Sequence, residues 1–122
     1  MSLPSGDVPS AVIFGCAGLK VTPDESALFR TVNPLGFILF ARNCETPDQV
    51  TRLVAELRDT VCRADAPVLV DQEGGPVRRL RPPHWDDVPA AARFGELYGQ
   101  DREGASVAAE LAGRLIAAQL AP

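Results

Sequence analysis

The sequence is poor in the side chains that build metal sites and thiol chemistry. It has one histidine, His84, and three cysteines, Cys16, Cys44 and Cys62, with no C-x-x-C pair. The odd cysteine count and the missing pair argue against a disulfide framework or a zinc ribbon, so we interpret the cysteines as reduced and mostly buried. A cysteine nucleophile activated by His84 is the competing interpretation, because Cys16 and Cys44 each lie near the end of a predicted strand.

The sequence also has no excess of positive charge and no long apolar run. It has 12 Lys and Arg residues against 16 Asp and Glu residues, which leaves a net charge of −4. A nucleic-acid-binding surface needs a basic face, so we exclude nucleic acid as a partner. No stretch approaches the roughly 20 apolar residues of a membrane span, and residues 1–10 lack the basic and apolar regions of a signal peptide. We therefore predict a cytoplasmic protein with no membrane partner.

Nucleotide-binding motifs are missing as well. The segment from Gly15 to Lys20 resembles a phosphate-binding loop only in its glycines, because a P-loop requires four residues between them and then Lys-Ser or Lys-Thr. The dinucleotide motif G-x-G-x-x-G is absent. A small nucleotide-binding protein is therefore a minor alternative.

What the chain does contain is an alternation of apolar strands and amphipathic helices. With 46% hydrophobic and 23% charged residues, its 122 residues have the composition of a globular domain. Two predicted helices share one start signal, a threonine cap followed by proline and by a residue that completes a capping box: Thr22-Pro23-Asp24-Glu25 and Thr46-Pro47-Asp48-Gln49. The other predicted elements are strands over residues 11–16, 36–41 and 67–71, and helices over residues 90–98 and 101–120.

The three strands show no polar alternation, so we expect a parallel sheet that is buried on both faces, with helices between its strands. Apolar stripes mark the second helix (Val50, Leu53, Val54, Leu57, Val61) and the last helix (Val107, Ala108, Leu111, Leu115, Ile116). Two architectures use such units, the doubly wound sheet and the eight-stranded barrel, and both place ligands at the carboxyl ends of their strands. Those ends are Gly15-Cys16, Arg42-Asn43 and Asp71-Gln72-Glu73.

The strongest local signal is Asp71-Gln72-Glu73-Gly74-Gly75 at the end of the third strand. Glycines permit a turn that other residues resist, and continued strand geometry would place Asp71 and Glu73 on one face. Carboxylates at such a position suit sugar hydroxyls, a metal ion or acid–base catalysis. The structural alternative is that Asp71 caps the turn and Glu73 pairs with a nearby arginine.

Three arginines, Arg78, Arg79 and Arg81, follow in an irregular, proline-rich stretch. A positive side chain beside Asp71 would keep the carboxylate ionised and orient a bound polyol. For Arg78 and Arg81 we favour a solvated charge run that balances nearby acidic residues. In the same stretch we favour His84 as a surface residue over a catalytic one. For Trp85 we favour a core-covering side chain over a sugar-stacking platform.

Three stretches taken together resemble one family: Gly-Phe-Ile-Leu-Phe-Ala-Arg-Asn at 36–43, Val-Asp-Gln-Glu-Gly-Gly at 70–75, and Pro-Ala-Ala-Ala-Arg-Phe at 89–94. In this order and spacing they resemble the N-terminal part of glycoside hydrolase family 3, and within it the bacterial β-N-acetylhexosaminidases of peptidoglycan recycling. The resemblance extends from about Ala11 over nearly the whole chain. It implies an α/β fold, the N-terminal part of a (β/α)8 TIM-type barrel with about three βα units. It also implies an enzyme that needs no metal or organic cofactor.

The resemblance further implies a retaining glycosidase that removes terminal, non-reducing β-N-acetylglucosamine from muropeptide substrates. Asp71 matches the family's aspartate that accepts hydrogen bonds from sugar hydroxyls, and Arg79 matches an arginine of the same subsite. Both residues are therefore predicted to bind carbohydrate. Pro76 differs from the polar residue that the family usually has after the two glycines.

No residue of the chain matches the family's catalytic groups, an aspartate nucleophile and a histidine paired with an aspartate. His84 does not lie in the motif that supplies that histidine. A barrel of this type typically needs about 250 residues, so we expect residues 1–122 to be an incomplete N-terminal portion of the barrel domain that is close to inactive alone. The alternative is a catalytically inactive binding or assembly module that forms homo-oligomers through unpaired sheet edges.

Overall fold

The computed structural model describes residues 8–121. Residues 1–7, which include most of the segment judged to lack a signal peptide, lie outside the described part of the chain. The chain forms two compact units, one up to Val70 and one from Asp71 onward. No helix among the described residues is long and apolar enough to cross a membrane.

The first unit is a three-stranded parallel sheet with two helices. Strand order is β1-β2-β3, with Phe14 paired to Phe37 and Phe37 paired to Val68. Its elements are β1 (Ser10–Phe14), α1 (Pro23–Val32), β2 (Pro34–Leu39), a 3-10 turn (Ala41–Asn43), α2 (Pro47–Thr60) and β3 (Val68–Val70). The prediction of an α/β fold with parallel strands is confirmed.

Helix α1 begins where the sequence predicts. The Thr22 hydroxyl accepts a hydrogen bond from the Glu25 backbone N–H at 3.2 Å, and the Glu25 carboxylate accepts one from the Thr22 N–H at 2.9 Å. This completes the predicted capping box. Asn33 ends the helix in the left-handed conformation, with φ of +48°, and Pro34 begins β2.

Helix α2 has the predicted threonine cap but not the predicted capping box. Thr46 accepts from the Gln49 N–H at 3.2 Å, as expected. The Gln49 side chain, however, accepts from the Glu45 N–H at 2.9 Å and donates to the carbonyls of Leu19 and Asn43, at 2.9 and 3.0 Å. The reason is burial: the Gln49 side chain lies inside the unit, where these groups need partners.

The core of this unit lies on one face of the sheet. The rings of Phe29 and Phe37 meet edge to face, with centroids 5.1 Å apart. The whole predicted stripe of α2 packs in this core: Leu53 and Leu57 are fully buried, and Val50, Val54 and Val61 pack against the buried cluster. The core thus confirms the helical stripe predicted from the sequence.

The opposite face of the sheet is uncovered in residues 8–121. Strand register places Ile13, Ile38 and Leu69 on this face, and Ile13 and Leu69 are 38% and 48% exposed. The prediction that the strands are buried on both faces is therefore wrong for the described structure. The buried cluster with α1 and α2 lies on the side of Phe37 and Leu39.

The second unit contains a short antiparallel hairpin and two helices. Strands β4 (Gln72–Gly74) and β5 (Val77–Arg78) form the hairpin, and α3 (Ala91–Tyr98) and α4 (Arg102–Leu120) pack on each other. The sequence interpretation missed both strands of the hairpin, which have three and two residues. Asp101 caps α4 as predicted, accepting from the Gly104 N–H at 2.9 Å.

The predicted apolar face of α4 is largely exposed. Val107 and Leu111 are 53% and 56% exposed, and Leu115 is 37% exposed. The helical spacing is as predicted, but these side chains remain on the surface of the described structure.

Candidate functional site

The second unit brings Asp71 and Arg79 together. Asp71 follows the last residue of β3, and Arg79 follows the last residue of β5. Because β4 and β5 are antiparallel, the residue that precedes β4 lies beside the residue that follows β5. The Arg79 Nη2 atom lies 3.2 Å from Asp71 Oδ2.

The side chains of this pair remain partly open to solvent, 24% exposed for Arg79 and 43% for Asp71. An ion pair this exposed contributes about 1 kcal/mol or less to stability. The pair therefore adds little to the stability of the hairpin, while its carboxylate and guanidinium present hydrogen-bonding groups at the surface.

The two glycines make the turn of this hairpin. Gly74 and Gly75 have φ of +88° and +58°, which L-residues adopt at a cost. A Cβ on Gly74 would lie 2.5 Å from the Pro89 carbonyl oxygen, and one on Gly75 would lie 2.5 Å from the Ala90 Cβ. The Gly75 N–H also donates to the Val88 carbonyl at 2.8 Å. The double glycine is therefore required by the irregular segment that passes against the turn.

Gln72 links the two sides of the hairpin through its side chain. Its Oε1 atom accepts from the backbone N–H groups of Arg79 and Leu80, both at 3.0 Å. Its Nε2 atom donates to the Leu80 carbonyl at 2.9 Å. One amide thus fixes the backbone that carries Arg79.

The three arginines have three different neighbours. Arg78 pairs with the nearby acid Asp87 at 2.7 Å and also donates to the Gly75 carbonyl. Arg81 is exposed and donates to the Arg78 carbonyl at 3.3 Å. Glu73 is exposed and forms no ion pair within the described residues, so the alternative in which it pairs with an arginine is wrong.

His84 and Trp85 follow the structural interpretations. His84 is exposed, and its ring meets the Trp85 ring edge to face with centroids 6.0 Å apart. Trp85 is only 8% exposed and so offers no open face for a sugar ring. His84 is thus a surface residue and Trp85 a buried one, as favoured from the sequence.

Cys16 and Cys44 belong to the first unit and do not have the character of nucleophiles. Burial, followed by the charge of Glu25, raises the pKa of Cys16. Burial also raises the pKa of Cys44 to about 11, with Cys16 adding to the effect. A raised pKa leaves little thiolate at neutral pH, which argues against the cysteine-nucleophile alternative.

Hydrogen bonds from the Asn43 and Arg42 side chains connect the carboxyl ends of β1 and β2. The side chain of Asn43 is fully buried, and its Nδ2 atom donates to the carbonyls of Cys16 and Gly18 at 3.1 and 2.8 Å. Arg42 donates to the same Cys16 carbonyl at 3.1 Å and lies over the Phe40 ring. Asn43 is thus a structural residue that the sequence had placed at a ligand-binding end.

Other candidate sites are weak. No group of three or more His, Cys, Asp or Glu side chains within residues 8–121 is arranged to hold a metal ion. An open cavity of about 300 Å³ is lined by residues of α1 and α2 such as Arg30, Glu56 and Asp59. Neither Asp71 nor Arg79 lines this cavity, so the hairpin remains the candidate site.

Comparisons with known proteins support the resemblance seen in the sequence. No protein-family model matches the chain. The β-hexosaminidase of Methylococcus capsulatus is 38% identical over 108 residues, which cover 88% of this chain and 30% of that protein.

Solved structures show the same similarity. NagZ of Neisseria gonorrhoeae, solved in complex with N-trifluoroacetyl-D-glucosamine, matches with a TM-score of 0.81 and 29% identity, over 92% of this chain and 32% of that one. A glycoside hydrolase family 3 β-N-acetylglucosaminidase from a Paenibacillus strain matches with a TM-score of 0.76 and 31% identity, over 98% of this chain and 22% of that one.

The chain therefore spans about a third or less of the length of these relatives. Within that span the sequence identity and the structural similarity agree with the three stretches identified in the sequence. The chain is a homologue of the bacterial β-hexosaminidases and of the family 3 β-N-acetylglucosaminidases, and the predicted resemblance is confirmed.

Proposed function

We propose that residues 1–122 form the N-terminal portion of a (β/α)8 barrel in a retaining β-N-acetylhexosaminidase, and that Asp71 and Arg79 form part of its sugar subsite. The barrel assignment is supported by the parallel order of β1, β2 and β3 and by the similarity to family 3 structures. The proposed substrate is a cytoplasmic peptidoglycan fragment that ends in non-reducing β-N-acetylglucosamine.

The observation that carries the proposal is the ion pair of Asp71 and Arg79 at 3.2 Å. A carboxylate accepts hydrogen bonds from sugar hydroxyls, and a guanidinium donates to hydroxyl oxygens. Side by side, the two groups can therefore hold neighbouring hydroxyls of one sugar ring. A similar sugar derivative, N-trifluoroacetyl-D-glucosamine, is bound in the Neisseria neighbour.

The proposal assigns no catalytic residue to the chain. Retention of configuration needs a nucleophilic carboxylate and a proton donor about 5–5.5 Å apart. His84 is exposed against the buried Trp85, and Asp71 is paired with Arg79 in the role of a sugar ligand. We therefore expect the 122-residue chain alone to bind sugar without efficient turnover.

Sugar binding tests the roles of Asp71 and Arg79. The purified chain is titrated with N-acetylglucosamine and followed by NMR. Asp71→Asn and Arg79→Gln should each weaken binding by about tenfold or more, because hydrogen bonds to charged groups are worth roughly 1.5–3 kcal/mol. Glu73→Gln and Arg81→Gln are matched controls, since they neutralise exposed charges nearby. Equal losses in all four variants, or none, would contradict the assignment.

Turnover tests the assignment of no catalytic residue. A chromogenic N-acetyl-β-glucosaminide is offered to the chain and to a chimera in which the chain replaces the homologous 108 residues of the Methylococcus relative. We expect turnover by the chimera and almost none by the chain. Robust turnover by the chain alone would show that it holds catalytic groups.

A second candidate function is a binding or assembly module. Strands β1 and β3 are the outer strands of the first unit's sheet, and one face of that sheet exposes Ile13 and Leu69. Unpaired strand edges and exposed apolar faces favour association with other chains. Size-exclusion chromatography with light scattering separates the two: a stable, monodisperse oligomer that binds no N-acetylglucosamine would favour this second function.

A further inference from the structure

The side chain of Gln72 continues the β4–β5 hairpin beyond its last paired residues. The backbone ladder pairs Gln72 with Arg78 and Gly74 with Val77, and it reaches no further. Arg79 and Leu80 lie just past this end, yet both of their N–H groups are held by the Gln72 Oε1 atom at 3.0 Å. The side chain thus replaces the ladder for the two residues that follow it.

These hydrogen bonds connect the Arg79 backbone to the buried residue Leu80. Leu80 is 4% exposed, and its carbonyl accepts from the Gln72 Nε2 atom at 2.9 Å. Gln72 also follows Asp71 directly in the chain. The Gln72 amide therefore holds the Arg79 backbone from the residue next to Asp71. The same amide is itself held by the backbone of the buried Leu80.

We propose that Gln72 is a positioning residue that sets the Arg79 guanidinium against the Asp71 carboxylate for sugar binding. The proposal rests on the proposed sugar subsite. Arginine loses considerable side-chain entropy when it is held in one geometry, and a backbone fixed at Arg79 leaves only the side-chain torsions to be ordered on binding. Pre-organisation of this kind raises affinity without a new contact to the ligand.

The outer end of the hairpin is held by other groups. Gly75 donates to Val88 at 2.8 Å, and Arg78 pairs with Asp87 at 2.7 Å. The turn should therefore persist when the Gln72 amide is lost. The effect of a Gln72 substitution is then expected at Arg79 and Leu80 rather than over the whole hairpin.

Three variants of the 122-residue chain test the inference. Gln72→Met keeps the length of the side chain and removes all three hydrogen bonds. Gln72→Glu keeps an oxygen that accepts from both N–H groups and loses the donor to Leu80. Gln100→Met is the matched control, because Gln100 is an exposed glutamine beyond the end of α3.

Hydrogen exchange and ¹⁵N relaxation are measured on the free protein, and affinity is measured by titration with N-acetylglucosamine. In Gln72→Met, we expect amide hydrogen exchange at Arg79 and Leu80 to accelerate at least tenfold, and ¹⁵N relaxation of the Arg79 side chain to show increased motion. We expect the affinity for N-acetylglucosamine to fall about tenfold. Gln72→Glu should keep most of the amide protection and lose less affinity, and Gln100→Met should change none of these quantities.

The outcomes separate the inference from the proposed function. Unchanged protection of the Arg79 and Leu80 amides, or an Arg79 side chain as ordered as in the parent, would overturn the positioning role whatever the sugar result. A loss of stability with full sugar affinity in the folded molecules would also overturn it, because the role would then be structural only. If Gln72→Met loosens the Arg79 side chain but Arg79→Gln does not change sugar binding, Gln72 positions Arg79 as inferred. The proposed sugar subsite would then be wrong. If Gln72→Met does not fold, the comparison of Gln72→Glu with the parent carries the test.

Discussion

Asn43 shows how much one buried amide organises in the first unit. Its Nδ2 atom donates to the Cys16 and Gly18 carbonyls, and its Oδ1 atom accepts from the Phe40 N–H at 2.9 Å. These groups belong to segments up to 27 residues apart. A fully buried polar side chain is stable only because each of its atoms has a partner.

Asn43→Ala should destabilise the protein by roughly 2–4 kcal/mol, because it removes a hydrogen-bond partner from several buried backbone groups at once. Urea unfolding followed by circular dichroism measures the change. Gln100→Ala, an exposed substitution, should stay within about 0.5 kcal/mol of the parent. A cost near zero for Asn43→Ala would mean that water reaches these groups.

Glu25 makes stability depend on pH at the start of α1. Burial would raise the pKa of its carboxyl group, but hydrogen bonds from the Thr22 and Ala17 N–H groups and the Thr22 hydroxyl outweigh burial and lower the pKa below 4.5. A carboxyl group with a lowered pKa stabilises the fold when ionised. Its contribution is present above pH 4.5 and is lost as pH falls through the lowered value.

Glu25→Gln should therefore be less stable than the parent at pH 7, and the difference should shrink as pH falls below 4.5. Urea unfolding at several pH values between 7 and 3 measures it, with Glu110→Gln on the exposed face of α4 as the control. A difference that stays constant over this range would show that the ionised carboxylate is not the stabilising form.

At the scale of secondary structure, the β4–β5 hairpin is set by its turn and by the segment against it. Gly74 has a positive φ and faces the Val88 and Pro89 carbonyls. Gly95, by contrast, lies inside α3, and a Cβ added to it would meet no atom within 4 Å. The same substitution at the two glycines should therefore have opposite effects.

Gly74→Ala should cost roughly 2 kcal/mol or more, because the methyl group adds both strain and a clash. Gly95→Ala should stabilise the protein by about 0.5–1 kcal/mol through helix propensity. Thermal or urea unfolding of both variants measures whether each change in the free energy of unfolding is positive or negative. Stabilisation by Gly74→Ala would mean that the turn in solution differs from the one described.

At the scale of the whole molecule, the exposed sheet face of Ile13, Ile38 and Leu69 is the clearest feature. Each strand was expected to be buried on both sides, yet Ile13 and Leu69 are exposed in the described part of the chain. Such a face lowers solubility or recruits another surface, whichever of the two proposed functions holds.

Leu69→Lys should reduce concentration-dependent self-association, because it places a charge on this exposed face. Leu28→Lys is the matched control, since Leu28 is 50% exposed on α1 and Leu69 is 48% exposed on β3. Light scattering over a tenfold concentration range measures the association. Equal behaviour of the two variants would show that the sheet face is not the surface through which copies associate.

The sequence alone predicted the parts of this protein that depend on neighbours in the chain. The start of α1, the cap and apolar stripe of α2, the three parallel strands and the family resemblance all follow from local caps, periodicity and motif spacing. The motif at the end of the third strand drew attention to Asp71, and the family resemblance singled out Asp71 and Arg79 as predicted sugar ligands. These signals act within a few residues, so a linear sequence displays them directly.

Only the tertiary structure decided what depends on residues that meet from a distance. It showed that Arg79, rather than Arg78 or Arg81, reaches Asp71, that Gln72 holds the Arg79 backbone, and that Asn43 points inward. It also showed which face of the sheet is buried. Each of these outcomes depends on which polar groups become buried and need hydrogen-bond partners, and on which apolar surfaces are buried by other residues. Both are decided only when segments that are distant in the sequence pack together.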